Sequence, residues 1–188
     1  MTTRRVDPER RDRIITAALD LIAEEGVAGT SHRKVARAAD VPLGSMTYHF
    51  TGMDELLREA FSRFAGAVSA RMDHRLGRAR DREEAKAAIA DIIHHHIFDT
   101  ARNLVLTHEL YTLAARKPAF RSITHDWMRR TRHALERHFD PDTARQLDSL
   151  IEGLTIQHAL GTEPLERAFT VDAIERISGG STPSPPGS

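Results

Sequence analysis

Residues 31–50 read SHRKVARAADVPLGSMTYHF, and this stretch decides the fold of the N-terminal part of the chain. The pattern predicts a helix over residues 32–39, a turn over residues 40–42 and a second short helix over residues 43–49. Small alanines in the first helix would let the two helices cross closely. Met46 and Phe50, which are four residues apart, would lock the second helix inward. Together these features predict a helix-turn-helix.

The second helix would present small or hydrogen-bonding groups on the side opposite Met46. A face of this kind fits a DNA major groove, which is about 12 Å wide. A simple packing helix would not need such a face, so the pattern favours DNA binding over a plain helical hairpin. The candidate DNA-binding residues are His32, Arg33, Lys34, Leu43, Gly44, Ser45, Thr47, Tyr48 and His49.

The composition is that of an ordinary globular chain. Its 188 residues are 40% apolar and 29% charged, the formal net charge is zero, and there is no cysteine. The missing cysteine excludes a disulfide framework, a thiolate zinc site and a cysteine nucleophile. Zero net charge argues against indiscriminate coating of nucleic acid. Residues 1–13 and 30–52 nevertheless each carry two more bases than acids, so positive charge is concentrated locally.

The first thirteen residues have no apolar core of the kind that a secretory signal contains. No segment approaches the roughly 18 apolar residues that a membrane span requires. We therefore expect a cytoplasmic protein.

The rest of the chain predicts an all-α protein of about nine helices. Strand and hairpin signals are scarce, and breaks occur at glycine, proline and capping residues. Gly26 should end the first helix, and Lys117-Pro118 should help to start a helix over residues 119–139. Asp140-Pro141 should begin a helix that continues to Leu160, and Thr170 should cap the last one. Residues 179–188, which are rich in proline, glycine and serine, should be a disordered tail.

From Arg13 to Leu57 the chain resembles the N-terminal domain of the TetR family of bacterial transcriptional regulators. The matching residues are Gly26, Val35-Ala36, Ala39, Val41, Gly44, Met46, His49-Phe50 and Asp54-Glu55-Leu56-Leu57. Family members usually carry tyrosine at position 47 and lysine at position 53, and both residues hold the DNA backbone. Thr47 and Met53 stand there in this chain. They predict either weaker DNA binding or a larger contribution from Arg4, Arg5, Arg33 and Lys34.

The resemblance also implies the domain organisation. Residues 1–52 would form the DNA-binding domain and residues 53–178 a helical domain for effector binding and dimerisation. The implied effector pocket would draw on Phe64, Phe98, His108, Tyr111, Trp127 and Met128, although each could instead be an ordinary core residue. The implied dimer interface would use Leu147, Ile151, Leu154, His158 and Ile174. The apolar breadth of the helix that ends at Leu160 fits either self-association or burial within one subunit.

The implied function is that of a homodimeric repressor. It would bind a palindromic operator on double-stranded DNA and leave it when a small-molecule effector binds. The alternative is a helical small-molecule or metal-binding protein whose DNA binding is weak or lost. No catalytic motif is present, so we expect no enzyme and no cofactor. In the run His94-His95-His96, three consecutive helical residues point about 100° apart and cannot together bind one ion. The better candidates for a metal site are the pairs Asp91-His95 and His95-Asp99, each four residues apart; otherwise these side chains are partly solvated and partly packed.

Overall fold

The computed structural model describes residues 9–95, without the side chain of His95, and residues 100–179. Within these ranges the protein is all-α, as predicted, with nine α-helices, one short 3-10 helix and no strand. No described helix combines the length and the apolar composition needed to cross a bilayer. The α-helices are α1 (Arg10–Gly29), α2 (His32–Ala38), α3 (Leu43–His49), α4 (Met53–Gly77), α5 (Arg82–His95), α6 (Ala101–Arg116), α7 (Arg121–Leu135), α8 (Pro141–Leu160) and α9 (Arg167–Gly179), and the 3-10 helix is Pro118–Phe120.

Local sequence signals explain most helix boundaries. The Ser31 hydroxyl accepts a hydrogen bond from the Lys34 amide at the start of α2. The Asp140 carboxylate accepts one from the Thr143 amide (3.0 Å) at the start of α8, with Pro141 in the first turn. Side-chain oxygens at these positions satisfy amides that have no partner within the helix. The predicted starts of α2, α3 and α8 are therefore confirmed.

Three predicted boundaries are wrong. Gly26 interrupts α1 but does not end it, because helical structure resumes and continues to Gly29. The helix expected over residues 119–139 begins with a 3-10 turn and ends at Leu135. Thr170 does not cap α9, which begins three residues earlier. It is fully buried instead, and its hydroxyl lies 2.9 Å from Nε2 of His94.

The chain divides into two compact units, with one boundary inside α4, one between α5 and α6 and one inside α7. The first unit comprises the described residues of Met1–Ala67 together with Thr100–His125. Within it, α1 packs against α6 and α2, and α2 packs against α3. The helix-turn-helix thus shares one compact unit with α6. The expected division into domains at residue 52 remains a prediction.

The second unit comprises the described residues of Val68–Asp99 and Asp126–Ser188, and its helices α5, α8 and α9 pack against one another. Its core includes Leu147, Ile151, Leu154 and Ile174, each at most 5% exposed. Four of the five residues expected at a dimer interface therefore pack inside a single chain. For these four the interface prediction is wrong, because side chains so deeply buried have almost no surface left for a partner. His158 is exposed.

Gly26 adopts φ +72° and ψ 171°, a backbone conformation that is essentially restricted to glycine. A Cβ added there would lie 3.0 Å from Oε1 of Glu109. We expect Gly26→Ala to lower the free energy of unfolding by about 1–3 kcal/mol. The control is Gly77→Ala at the end of α4, where the new Cβ would make ordinary contact with Arg137 at 3.6 Å. Equal effects of the two substitutions in chemical denaturation would contradict this assignment.

Asp148 on α8 is a mostly buried carboxylate, with 14% of its side chain exposed. Burial raises its pKa to about 6, although the Arg132 guanidinium at 3.5 Å opposes this shift and Glu152 adds to it. The folded state therefore holds the Asp148 proton more tightly than the unfolded state does. Stability from this group is present below the ordinary pKa and is lost as the pH rises through about 6.

Asp148→Asn should consequently stabilise the protein at pH 7.5. A pKa difference of one between the folded and unfolded states corresponds to about 1.4 kcal/mol, so we expect the free energy of unfolding to rise by about 1–3 kcal/mol. The gain should disappear below about pH 3, where Asp148 is neutral in both states. Urea denaturation at the two pH values, at one fixed protein concentration, measures it. A stability difference that is the same at both pH values would show that ionisation of Asp148 does not oppose folding.

Candidate nucleic-acid interface

The helix-turn-helix is held by small buried residues and by a tight turn. Val35, Ala36 and Ala39 are at most 6% exposed, so α2 presents a smooth inner face. Asp40 takes φ +52° in the turn, and the Val41 amide donates to the carbonyl oxygen of Ala36 (3.0 Å). Aspartate tolerates this left-handed conformation better than most residues do. The turn therefore directs the chain back along α2 and sets the course of α3.

Two buried side chains fix the rotation of α3, as predicted. Met46 is fully buried and Phe50 is 2% exposed. The Arg11 guanidinium from α1 lies over the Phe50 ring, 5.1 Å from its centroid, and pairs with Glu59 of α4 (3.1 Å). Because Arg11 of α1, itself held by Glu59, covers Phe50 at the end of α3, the opposite side of α3 faces outward.

That outward face carries most of the residues expected there. Leu43 is 50% exposed and Tyr48 is 82% exposed, with Gly44 and Thr47 also at the surface. His49 is half-buried, and its ring meets the Tyr48 ring edge-on at 4.9 Å. Ser45 is only 5% exposed, so its predicted place on this face is wrong. In a helix, residue 45 immediately precedes the buried Met46 and here turns inward with it.

The cations at the start of α2 differ in their surroundings. Arg33 is exposed, and no carboxylate among the described residues pairs with it. The Lys34 ammonium pairs with Glu25 and donates to the carbonyl oxygen of Gly29 (2.9 Å). Half-buried His32 has an Nε2 atom with no hydrogen-bond partner among the described residues. Arg33 is thus the more available phosphate ligand, because Lys34 would first have to give up an ion pair.

The start of α4 is ordered by a carboxylate that the sequence analysis missed. Glu55 accepts hydrogen bonds from both the amide and the hydroxyl of Thr51, each 2.7 Å long, and these bonds lower its pKa. Met53, the first residue of α4, is half-buried. Lys117 donates to Asp54 (2.8 Å) in the same unit. The spacing of four residues differs from the three of a capping box, so that sequence pattern does not reveal this contact.

A second missed residue, Glu109, joins α6 to the interruption in α1. The Val27 amide donates to Oε2 of Glu109 (2.9 Å), immediately after Gly26. The Thr30 hydroxyl donates to the carbonyl oxygen of Gly26 (2.9 Å). The backbone at the interruption of α1 is therefore satisfied by side chains on both sides. No local pattern could reveal this contact, because Val27 and Glu109 are 82 residues apart.

The residues expected at an effector pocket are divided between the two units. Phe64, His108 and Tyr111 belong to the first unit, and Trp127 and Met128 belong to the second. Phe98 lies outside the described residues. Phe64 is 5% exposed, while His108 and Tyr111 are half-buried. Nδ1 of His108 lies 2.8 Å from the carbonyl oxygen of Leu104, a contact that fixes the direction of the ring.

The histidine run on α5 forms no metal cluster within the described residues. His94 contacts Thr170, and its ring lies 5.2 Å from that of His158. Asp91, which could have joined His95 four residues later, pairs with Arg75 and Arg167 instead. These ion pairs lower the Asp91 pKa, although burial opposes them with the largest single effect. Residues 96–99 lie outside the described part of the chain.

α3 is anchored by the buried side chains of Met46 and Phe50, its opposite face is exposed, and the exposed Arg33 lies on the preceding helix. This arrangement is that of a helix-turn-helix DNA-binding protein. Comparison with known families agrees with this class. Residues 14–60 match the model described as "Bacterial regulatory proteins, tetR family", and residues 80–180 match "Tetracyclin repressor-like, C-terminal domain". The chain belongs to the TetR family of transcriptional regulators. Members of this family are generally not enzymes.

Solved structures extend the likeness over nearly the whole chain. SCO7518 from Streptomyces coelicolor A3(2) is 62% identical and has a TM-score of 0.88, over 91% of this chain and 99% of that one. The multidrug binding protein EbrR complexed with imidazole is 34% identical, with a TM-score of 0.80, over 96% and 98%. The regulator SrpR of Pseudomonas putida is 31% identical over 46% of this chain. The matched segment covers 40% of the length of SrpR, and the segments matched in two further curated regulators cover 26% and 64% of their lengths.

The departure at position 53 leads to a prediction about DNA affinity. A methionine neutralises no phosphate, so Met53→Lys should strengthen binding to specific and unrelated duplexes by a similar factor. A plot of log affinity against log salt should steepen by roughly 0.9, the value for one additional phosphate contact. Fluorescence anisotropy at several salt concentrations measures both effects. A gain confined to one DNA sequence would mean that the lysine contacts a base or changes the docking of α4.

Proposed function

We propose that the chain is a repressor that binds a palindromic operator as a homodimer and leaves it when a small molecule binds. The observation that carries this proposal is the outward face of α3, in which Leu43 and Tyr48 are exposed above the buried Met46. Two copies of α3 related by a two-fold axis would enter successive major grooves. Their half-sites would lie about 34–36 Å apart, or a multiple of that distance.

Selection of bound fragments from a pool of random duplexes tests the operator. Enrichment of a palindrome with half-sites about one helical turn apart would support the proposal. Failure to enrich any sequence at moderate salt would favour the alternative, a helical small-molecule or metal-binding protein with weakened DNA binding. Thr47 and Met53 are the residues that would account for such a loss.

The homodimer would have to use residues that a single chain leaves exposed. Apolar side chains of this kind occur near the end of α8 and the start of α9, where Leu160, Phe169 and Val171 are 60%, 57% and 42% exposed. His158, the one expected interface residue that is exposed, lies on the same part of α8. Large apolar side chains that a single chain leaves exposed are typical of an association surface. We therefore place the two-fold contact there.

Phe169→Glu should separate the dimer without unfolding the chain, because more than half of the Phe169 side chain is exposed. Sedimentation at micromolar concentration should detect monomers, and affinity for the palindrome should fall at least tenfold while the melting temperature stays close to that of the wild type. The control is Ala115→Glu, which adds the same charge at an exposed position on α6. A Phe169→Glu protein that remains dimeric would exclude this surface.

The effector that we propose is a flat aromatic cation. The support comes from EbrR, which is described as a multidrug binding protein and has been crystallised with ethidium. That structure is 33% identical to this chain, with a TM-score of 0.77 over 91% of it. In the first unit, the half-buried ring of Tyr111 could stack on such a molecule. Binding could release DNA only if the dye prefers the conformation that does not fit the operator.

Ethidium titrated into the protein without DNA should therefore bind, and Tyr111→Leu should weaken the binding about tenfold. The control is Tyr48→Leu, which alters the other tyrosine of the chain and should affect DNA affinity alone. Release from the operator should be compared between wild type and Tyr111→Leu at equal dye concentration, so that dye intercalation into DNA is the same. Equal release by both proteins would mean that the dye acts on the DNA.

A further inference from the structure

The exposed face of α3 lacks every side chain that makes the usual bidentate or charged contact with a base. In the major groove, arginine or lysine recognises guanine, asparagine or glutamine recognises adenine, and glutamate or aspartate accepts from cytosine. The sequence of α3 is LGSMTYH, which contains none of these six residue types. Guanine, adenine and cytosine therefore have no strong partner on this helix.

What the face does offer is apolar surface. Leu43 exposes half of its side chain, and the Tyr48 ring is almost fully exposed. The Thr47 hydroxyl donates to the carbonyl oxygen of Gly44 (3.2 Å), which engages its proton and leaves its methyl group available. Nothing lies within 4 Å of a Cβ added at Gly44, so the backbone itself can approach a base pair. The base feature that complements such a surface is the C5-methyl group of thymine.

We propose that Leu43, with Thr47 and Tyr48, reads thymine methyl groups in each half-site. This inference rests on the proposed DNA-binding function and names the base that its reading helix selects. Leu43 and Thr47 are four residues apart, which places their Cβ atoms about 5–6 Å from each other on one face. This distance corresponds to between one and two base-pair steps at about 3.4 Å each. The thymines that are read therefore lie within about two steps of each other.

Charge on the neighbouring helix completes the division of roles. Arg33 and Arg37 on α2 are exposed, while α3 has no permanent cation. Contacts from α2 to phosphates would supply affinity for any sequence, because phosphates are the same in all sequences. Discrimination between sequences would then come from the apolar face of α3. The two contributions can be measured separately.

The experiment uses the duplex enriched by selection and replaces its thymines with deoxyuridine, one position at a time in both half-sites. Uracil keeps the hydrogen-bonding edge of thymine and lacks only the methyl group. At one or two positions per half-site, we expect each substitution to weaken binding about fourfold per half-site, as for the burial of one methyl group. Thymines at all other positions should tolerate the replacement.

Variants of Leu43 identify the residue that senses the methyl group. Leu43→Ala should bind the thymine and uracil duplexes equally at one of the sensitive positions, whereas Leu43→Met, which remains apolar and long, should retain the difference. The control Arg33→Ala should weaken binding to both duplexes by the same factor. Thermal melting checks that each variant is folded, which we expect because both residues are exposed.

Three results would overturn the proposal. An enriched sequence whose affinity is unchanged by uracil at every position would refute methyl readout while leaving the DNA-binding function intact. A uracil effect that persists in Leu43→Ala, Thr47→Ser and Tyr48→Ala would assign the sensitivity to DNA shape or to a residue outside this face. No enriched sequence at all would refute the proposed function, and the inference that rests on it would fall too.

Discussion

A hydrogen bond from the Val27 amide to the Glu109 carboxylate fixes the point on which the DNA-binding unit depends. Gly26 turns the backbone of α1 sharply at this point, which exposes amides that a continuous helix would have satisfied. Glu109 satisfies one of them from α6, and the Thr30 hydroxyl bonds the Gly26 carbonyl oxygen from the other side. Since α2 begins two residues after Thr30, the direction in which α2 leaves α1 is set by these bonds. The course of α3 follows in turn, because the tight turn at Asp40 joins it to α2.

The roles that we propose in DNA affinity and in sequence discrimination fall on two different helices. The side chain of Arg33 on α2 is a cation, whereas the exposed side chains Leu43 and Tyr48 of α3 are apolar or neutral. A chain with no net charge can bind DNA only if its cations are concentrated where the phosphates lie. Lys34 shows that part of this local charge is already neutralised within the protein, because Glu25 pairs with it. If the electrostatic part of the binding free energy is modest, the exposed face of α3 contributes a larger share of the total binding free energy.

The sequence predicts both ends of α3 correctly because the boundary signals are strong there. Pro42 precedes the helix, and Met46 and Phe50 have the spacing of a buried face. The spacing of apolar residues failed to predict the dimer interface, because apolar residues can be buried either against a second subunit or inside one chain. Leu147 and Ile151 have the pattern of an interface, but the same pattern serves a core inside one chain, and only the packing of α5, α8 and α9 decides between them. The role of Glu109 could not be predicted from the sequence for a different reason. Its partner Val27 is 82 residues away, and an isolated glutamate in a helix has no local signature of a long-range hydrogen bond.

The breadth of apolar surface on α8 has a physical explanation in these terms. One face of the helix, which includes Leu147 and Leu154, is buried in the core of its own unit. An ordinary surface helix would be polar on the remainder, yet α8 ends at Leu160 with 60% of that side chain exposed, and Phe169 and Val171 follow on α9. Exposed apolar side chains add nothing to the stability of a lone chain, because they gain nothing from burial until a partner covers them. Their position outside the core, rather than the total apolar content of α8, is therefore the basis on which we propose this surface for a second copy.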